Sequence, residues 1–108
     1  MTTAHSFGDD LARLDAVATA AAVRGGEVSA EEVVRTAIDR ARCVDPLIGA
    51  VATDDYERAP RRAREVRSGT FAGVPTFIKD MTDVAGLPTR NGSAAFAGAG
   101  PATKTFGI

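Results

Sequence analysis

The chain has 108 residues, 44% hydrophobic and 25% charged, with 13 basic side chains against 14 acidic ones and a net charge of -1. That is the composition of an ordinary soluble chain of one domain at most, without the basic surplus of a dedicated nucleic-acid binder. One cysteine, Cys43, and one histidine, His5, exclude an internal disulfide framework and a Cys/His zinc site, and leave little room for a Ser-His-Asp triad.

The opening residues, 1–10, show no basic segment leading into an apolar run, so no secretory leader is expected. No stretch approaches the roughly 20 apolar residues that span a bilayer. The expected compartment is the cytoplasm, with no membrane association. Asn91-Gly92-Ser93 matches a glycosylation acceptor only formally, since no leader precedes it.

The first half reads as helical. Asp9 or Asp10 can cap a helix running to about Arg24, with Leu11, Leu14, Ala18, Ala21 and Ala22 on one face. Gly25-Gly26 ends it, because glycine accepts the left-handed conformation after a last turn. Ser29 and Glu32 then form a capping box, and Val28 and Val33 match a hydrophobic staple. Val34, Ala37, Ile38 and Ala41 continue an apolar stripe toward Cys43, read as a buried, inert thiol. Asp45-Pro46 is expected to end this helix, since a residue before proline avoids helical angles. The apolar segment 48–53 suits a short strand.

A third helical pattern starts at Asp54 or Asp55 and runs to about Arg67. Pro60 either kinks it or sits in its first turn. Arg58, Arg61, Arg62, Arg64 and Arg67 crowd this helix, with Asp54, Asp55, Glu57 and Glu65 offsetting them. A phosphate-binding face and a solvated face both fit. The neutral overall charge favours the solvated face.

From Gly69 glycine, proline and threonine become frequent. Ser68-Gly69 reads as a turn. The string GVPTFIKD, residues 73–80, looks like a strand, with Thr76 and Ile78 on one face and Phe77 and Lys79 on the other. Pro75 is tolerable near its start. Residues 84–89 read as a turn-rich loop. The tail from Ala94 has no periodicity.

Only two lysines are present, Lys79 and Lys104. Arginine stays protonated and is a poor general base, whereas burial can free a lysine of its proton. Lys79 stands at the end of the apolar 74–78 segment, where sheet proteins commonly place reactive groups. By position alone it is also an ordinary solvated boundary residue.

The strings around Lys79 go further. GVPTFIKD at 73–80, DVAGLPT at 83–89 and Gly92-Ser93 resemble the amidase signature family, in which a G-[VI]-P-x-x-[IVL]-K-D strand precedes a V-x-G-x-x-T-x-x-G-S stretch. Residues 25–34 resemble that family's second helix with its preceding turn. Residues 46–51 resemble its P-x-[IL]-N-A-[VIF] strand, with Gly49 where asparagine is usual. The resemblance runs from about Leu11 to Lys104.

The resemblance implies an α/β fold: N-terminal helices followed by the first strands of a large mixed sheet, incomplete in this chain. As a division of the chain it implies one N-terminal part of a single amidase domain, helical over 9–67, with a strand and loop segment at 73–93. It also implies amide hydrolysis by a Ser–cis-Ser–Lys triad with Lys79 as the base, and neither metal nor organic cofactor. Lys79 would be neutral at rest, accept the nucleophile's proton through the bridging serine, and help return it to the leaving amine.

The family's two serines follow the K-D block in Gly-Ser-rich sequence that these residues do not contain. The serines here are Ser6, Ser29, Ser68 and Ser93, and Ser93 falls on the family's non-nucleophilic G-S. Pro60 is a further departure, since the family usually continues its helix there. The expectation is a chain that supplies one triad member, is inactive alone and folds poorly beyond Gly69. The substrate would be a small aliphatic or aryl amide, or a glutamine amide if the parent belongs to a tRNA-dependent amidotransferase. A non-catalytic interaction module, or a vestigial product, is the alternative. Asp80 either tunes Lys79 or bonds backbone in the following loop, as Asp does in turns; the second is favoured.

Overall fold

In a computed structural model the chain is described over residues 10–65 and 68–106. His5, Ser6, Asp9 and Arg67 lie outside the described residues. Two compact units are present: one runs to Gly49 and resumes over Tyr56–Pro75, and the other comprises Ala50–Asp55 and the residues from Thr76 onward.

The first unit is helical. A 3-10 turn over Asp10–Arg13 precedes helix α1, Ala16–Arg24. One continuous helix from Asp10 is thus not formed. Asp15 intervenes: its carboxylate accepts the Ala18 N–H at 2.8 Å and caps α1 from an extended backbone. Such local side-chain bonding competes with helix propagation, and here it wins. The stop is as expected. Glu27 N–H bonds the Ala22 carbonyl at 3.0 Å and Gly26 N–H the Val23 carbonyl at 3.2 Å, with Gly26 at φ 77°. This is a Schellman ending, which needs a residue free to take positive φ.

Helix α2, Ala30–Ile48, is capped by Ser29, whose hydroxyl accepts the Glu32 N–H at 3.0 Å. It does not end at Asp45-Pro46. Pro46 lies in the last turn, where the ring removes one bond, and the helix continues to Ile48. Gly49 ends it, at φ 59° with its N–H on the Asp45 carbonyl at 2.7 Å. The expected strand at 48–53 is therefore not formed. Cys43 is exposed, not buried.

Helix α3, Ala59–Glu65, is shorter than expected and begins with Pro60 in its first turn. There the missing N–H has no intrahelical acceptor to lose. Val34 and Ile38 of α2 meet Ala63 of α3, and Ala30, Tyr56 and Ala59 pack against them. The Arg42 guanidinium lies 5.1 Å from the Tyr56 ring centroid, within cation–π range.

One carboxylate clasps the two helices. Arg64 of α3 donates Nε to Glu31 Oε1 at 2.9 Å and Nη2 to Oε2 at 2.8 Å. Arg35, one turn along α2, donates Nε and Nη2 to the same Oε2 at 3.0 and 2.8 Å. The Arg64 bonds first, and the Arg35 bonds second, lower the Glu31 pKa from 4.5 to about 2, and the pairing pushes Arg64 further up. Of the arginine row, Arg64 is thus a helix clasp, while Arg61 and Arg62 are exposed.

Gly73 closes the unit. It sits at φ 87°, and a Cβ there would lie 2.9 Å from Ala30 Cβ and 3.3 Å from Val23 Cγ1. The glycine of the GVP string is thus required both by its backbone angle and by the neighbouring helix start.

The second unit contains no strand among the described residues. Residues 74–79 hold no ladder partner, so the expected 73–80 strand and the first part of a mixed sheet are not formed. A strand exists only through the groups it pairs with. Two isolated bridges, Ala85 with Ala102 and Pro88 with Pro101, join the 84–89 loop to the tail. No helix among the described residues is long and apolar enough to cross a membrane.

Two outcomes follow. The Glu31 pKa is depressed on folding, so the clasp contributes fully above pH 4.5 and is lost as pH falls toward about 2. Glu31→Gln is expected to lower Tm by a few degrees at pH 7 and to flatten the Tm–pH curve across that window, measured by circular dichroism. Gly73→Ala is expected to destabilise the first unit by about 1–3 kcal/mol, from positive φ and overpacking together, read from urea unfolding of the helical signal.

Candidate active site

Lys79 is exposed, and its carbonyl accepts the Thr82 N–H at 3.0 Å, closing a turn directly after it. Around it Phe77, Ile78 and Met81 are 73%, 54% and 65% exposed. Phe77 and Ile78 belong to the apolar 74–78 segment, and more than half of each of these three side chains faces solvent.

Asp80 bonds backbone in the following loop, as favoured from sequence. Its Oδ1 accepts the Arg90 N–H at 2.9 Å, its own carbonyl accepts the Asn91 N–H at 2.8 Å, and Oδ2 accepts the Gly92 N–H at 3.4 Å. Three successive amides thus converge on one residue, the concave arrangement that binds anionic groups. Asn91 at φ 53° and Gly92 at φ 66° aim them, and Ser93 N–H closes the turn on the Arg90 carbonyl at 3.0 Å. Paired positive φ values on Asn-Gly are the signature of a type I′ turn. The dipeptide carries that signal in the sequence, beneath its formal match to a glycosylation acceptor.

The rest of the loop is held by similar bonds. Thr89 Oγ1 donates to Asp83 Oδ1 at 2.5 Å. Phe106 N–H reaches the Asp83 carbonyl at 3.0 Å, and Thr105 Oγ1 accepts the Ala85 N–H at 2.9 Å. Asp83, Thr89, Gly92 and Ser93 all belong to the strings that carry the family resemblance, and each has a local bonding role. Ser93 caps the 3-10 turn Ala94–Phe96 by accepting the Ala95 N–H at 3.2 Å. Arg90 carries a buried Nε without a hydrogen-bond partner.

An open groove of about 700 Å³ lies against Met81, Asp83, Thr89, Asn91, Phe96 and Lys104 in this unit. A smaller hollow of about 220 Å³ in the helical unit is lined by Leu11, Thr19, Val33, Ala37 and Arg40 among others. Neither is lined by Lys79. Among the described residues no group of three or more His, Cys, Asp or Glu side chains is arranged to hold a metal ion.

The Amidase family profile matches residues 32–104, which include Lys79, Asp80 and the 90–92 turn. The chain belongs to the amidase family. It is 48% identical over 97 residues to the protein named as amidase AmiC in Mycobacterium leprae, covering 89% of this chain and 21% of that protein. It is 41% identical over 97 residues to a glutamyl-tRNA(Gln) amidotransferase subunit of Acidothermus cellulolyticus, covering 82% and 19%. It is 46% identical over 70 residues to the 6-aminohexanoate-cyclic-dimer hydrolase of Paenarthrobacter ureafaciens, covering 65% and 14%. This amidase-family chain therefore spans about a fifth or less of the length of these curated relatives.

The turn at 90–93 yields its own test. Asn91→Gly is expected to be near neutral, because glycine takes positive φ freely. Asn91→Val is expected to cost about 1–2 kcal/mol, since a β-branched residue is a poor occupant of that region. Faster hydrogen exchange at the 90, 91 and 92 amides in the valine variant alone is the readout.

Proposed function

We propose that this chain supplies the general base, Lys79, of an amidase that cleaves amide C–N bonds with a Ser–cis-Ser–Lys triad. The supporting observation is the family match over residues 32–104, which carries the K-D block within it. Lys79 is the one lysine on that block, and its amine is free of any ion pair to Asp80, whose two oxygens accept backbone N–H groups.

In this reading the Lys79 amine takes a proton from a bridging serine as that serine takes one from the nucleophile. The nucleophilic oxygen adds to the amide carbonyl. When the C–N bond breaks, the proton returns along the same path to the leaving nitrogen, and water then hydrolyses the acyl-serine. A serine hydroxyl is a weak nucleophile without such a base. Both serines belong to polypeptide that these residues do not contain, so the chain alone turns over no amide. The substrate is a small aliphatic or aryl amide, or a glutamine amide, and the site of action is the cytoplasm. No metal or organic cofactor takes part in this chemistry.

The test joins this chain to the downstream remainder of the Mycobacterium leprae relative and measures ammonia release from propionamide, benzamide and glutamine. The joined protein is expected to hydrolyse at least one of them, and the 108-residue chain none. Lys79→Ala and Lys79→Arg are each expected to lower kcat/KM by about 10³-fold or more, since arginine cannot give up its proton. Retained activity in Lys79→Arg refutes the base assignment. Turnover by the 108-residue chain refutes the missing-serine account.

A further inference from the structure

Lys79 and Asp80 are neighbours in the chain with different tasks. A lysine amine stands at the end of a flexible four-carbon stem, so its placement begins with the backbone that carries it. That backbone is held on the far side of Lys79 by two devices. The Lys79 carbonyl accepts the Thr82 N–H at 3.0 Å. One residue on, Asp80 collects the three successive amides of residues 90–92, at 2.9, 2.8 and 3.4 Å. The second device depends on Asn91 and Gly92 both holding positive φ. A Cβ at Gly92 would meet no atom within 4 Å, so glycine is there for its angle and not for space. The carboxylate is thus turned to the 90–92 turn and makes no direct bond to the amine.

We propose that Asp80 is the positioning residue of Lys79: by binding the amides of the Asn91-Gly92 turn it fixes the backbone from which the lysine amine is presented to its serine. This inference rests on Lys79 being the base. The turn that carries the family's G-S is then the second half of a brace whose first half is the D of K-D. Misplacing a catalytic group by about 1 Å costs about 10²-fold in rate, which sets the scale expected when the brace is broken.

The experiment uses the joined full-length protein described above and a fluorophosphonate probe, whose phosphorus bonds to the nucleophilic serine oxygen as fluoride leaves and the base takes the proton. The first-order labelling rate at saturation and the half-saturating probe concentration are measured separately, with a thermal melt of every variant. Asp80→Ala is expected to lower the saturating rate about 10²-fold with little change in half-saturation. Asp80→Asn keeps one side-chain oxygen acceptor and is expected to fall between. Gly92→Ala keeps the carboxylate but opposes the positive φ; it is expected to slow labelling as well, and not to add to Asp80→Ala. Ser93→Ala, which removes only the 3-10 cap, is expected to label like the parent.

If Lys79→Ala labels at the parent rate, the base reading and this inference both fall. If Lys79→Ala is slowed while Asp80→Ala labels at the parent rate, the positioning role alone falls. It falls equally if Asp80→Ala and Ser93→Ala slow labelling alike in step with lower melting temperatures. Should Asp80→Ala not fold, Asp80→Asn and Gly92→Ala decide: parent-like rates in both overturn the proposal.

Discussion

Little apolar volume is buried in this chain, and its geometry therefore depends on polar groups that gather several N–H donors at once. The buried hydrophobic side chains are Ala20, Ala22, Val33, Val34, Ile38 and Ala63, half of them alanine, and no large side chain is fully enclosed among the described residues. Alanine contributes little hydrophobic burial, and small chains are short of it in any case. What remains to define positions is directional bonding. Glu31 accepts from two arginines and ties α3 to α2. Asp80 accepts three amides and ties the 90–92 turn to the residue after Lys79. Asp15, Ser29 and Ser93 do the same on a smaller scale at helix starts.

The two larger clasps differ in what they organise. Glu31 is a contact between charged side chains that face water, which salt and acid weaken. Asp80 binds backbone groups, so its partners are set by chain conformation, which here needs residues at 91 and 92 that accept positive φ. Several residues of the strings that carry the family resemblance have a backbone task of this kind. Gly73 has no room for a Cβ, Gly92 needs a positive φ, Asp80 needs the amides that Gly92 helps to aim, and Thr89 bonds to Asp83. From Asp80 to Ser93 the motif acts as one bonded loop, with Lys79 at its edge.

Much of the local structure is legible in the sequence because its causes are local. The Ser29 cap, the Gly25-Gly26 stop and the backbone-bonding role of Asp80 depend on residues within a few positions, or on the preference of a side chain for turns. Among the helices, the departures share a cause: one local signal overrides another. Asp45-Pro46 is a stop signal for α2, yet the preference against a helical residue before proline is weaker than the remaining bonds of a long helix, and Gly49 stops it. Asp15 interrupts the 10–24 helix because a short carboxylate can cap from inside a periodic pattern. The Asn-Gly turn carries a readable signal that its overlap with a glycosylation acceptor obscures. Cys43 follows an apolar stripe but emerges on the open side of α2.

The sequence by itself determined the family, the position of the K-D block, the caps and glycines, and the inventory that leaves Lys79 as the one lysine on that block, because each is a property of residue type and spacing. Tertiary structure alone decided which carboxylate meets which guanidinium across 33 positions, as Arg64 meets Glu31. It also decided which three amides reach Asp80, and that residues 74–79 find no strand partner among the described residues. The physical reason is the same in each case. A helix cap is satisfied within its own turn, whereas an ion pair between helices or a strand in a sheet exists only when distant chain arrives to complete it.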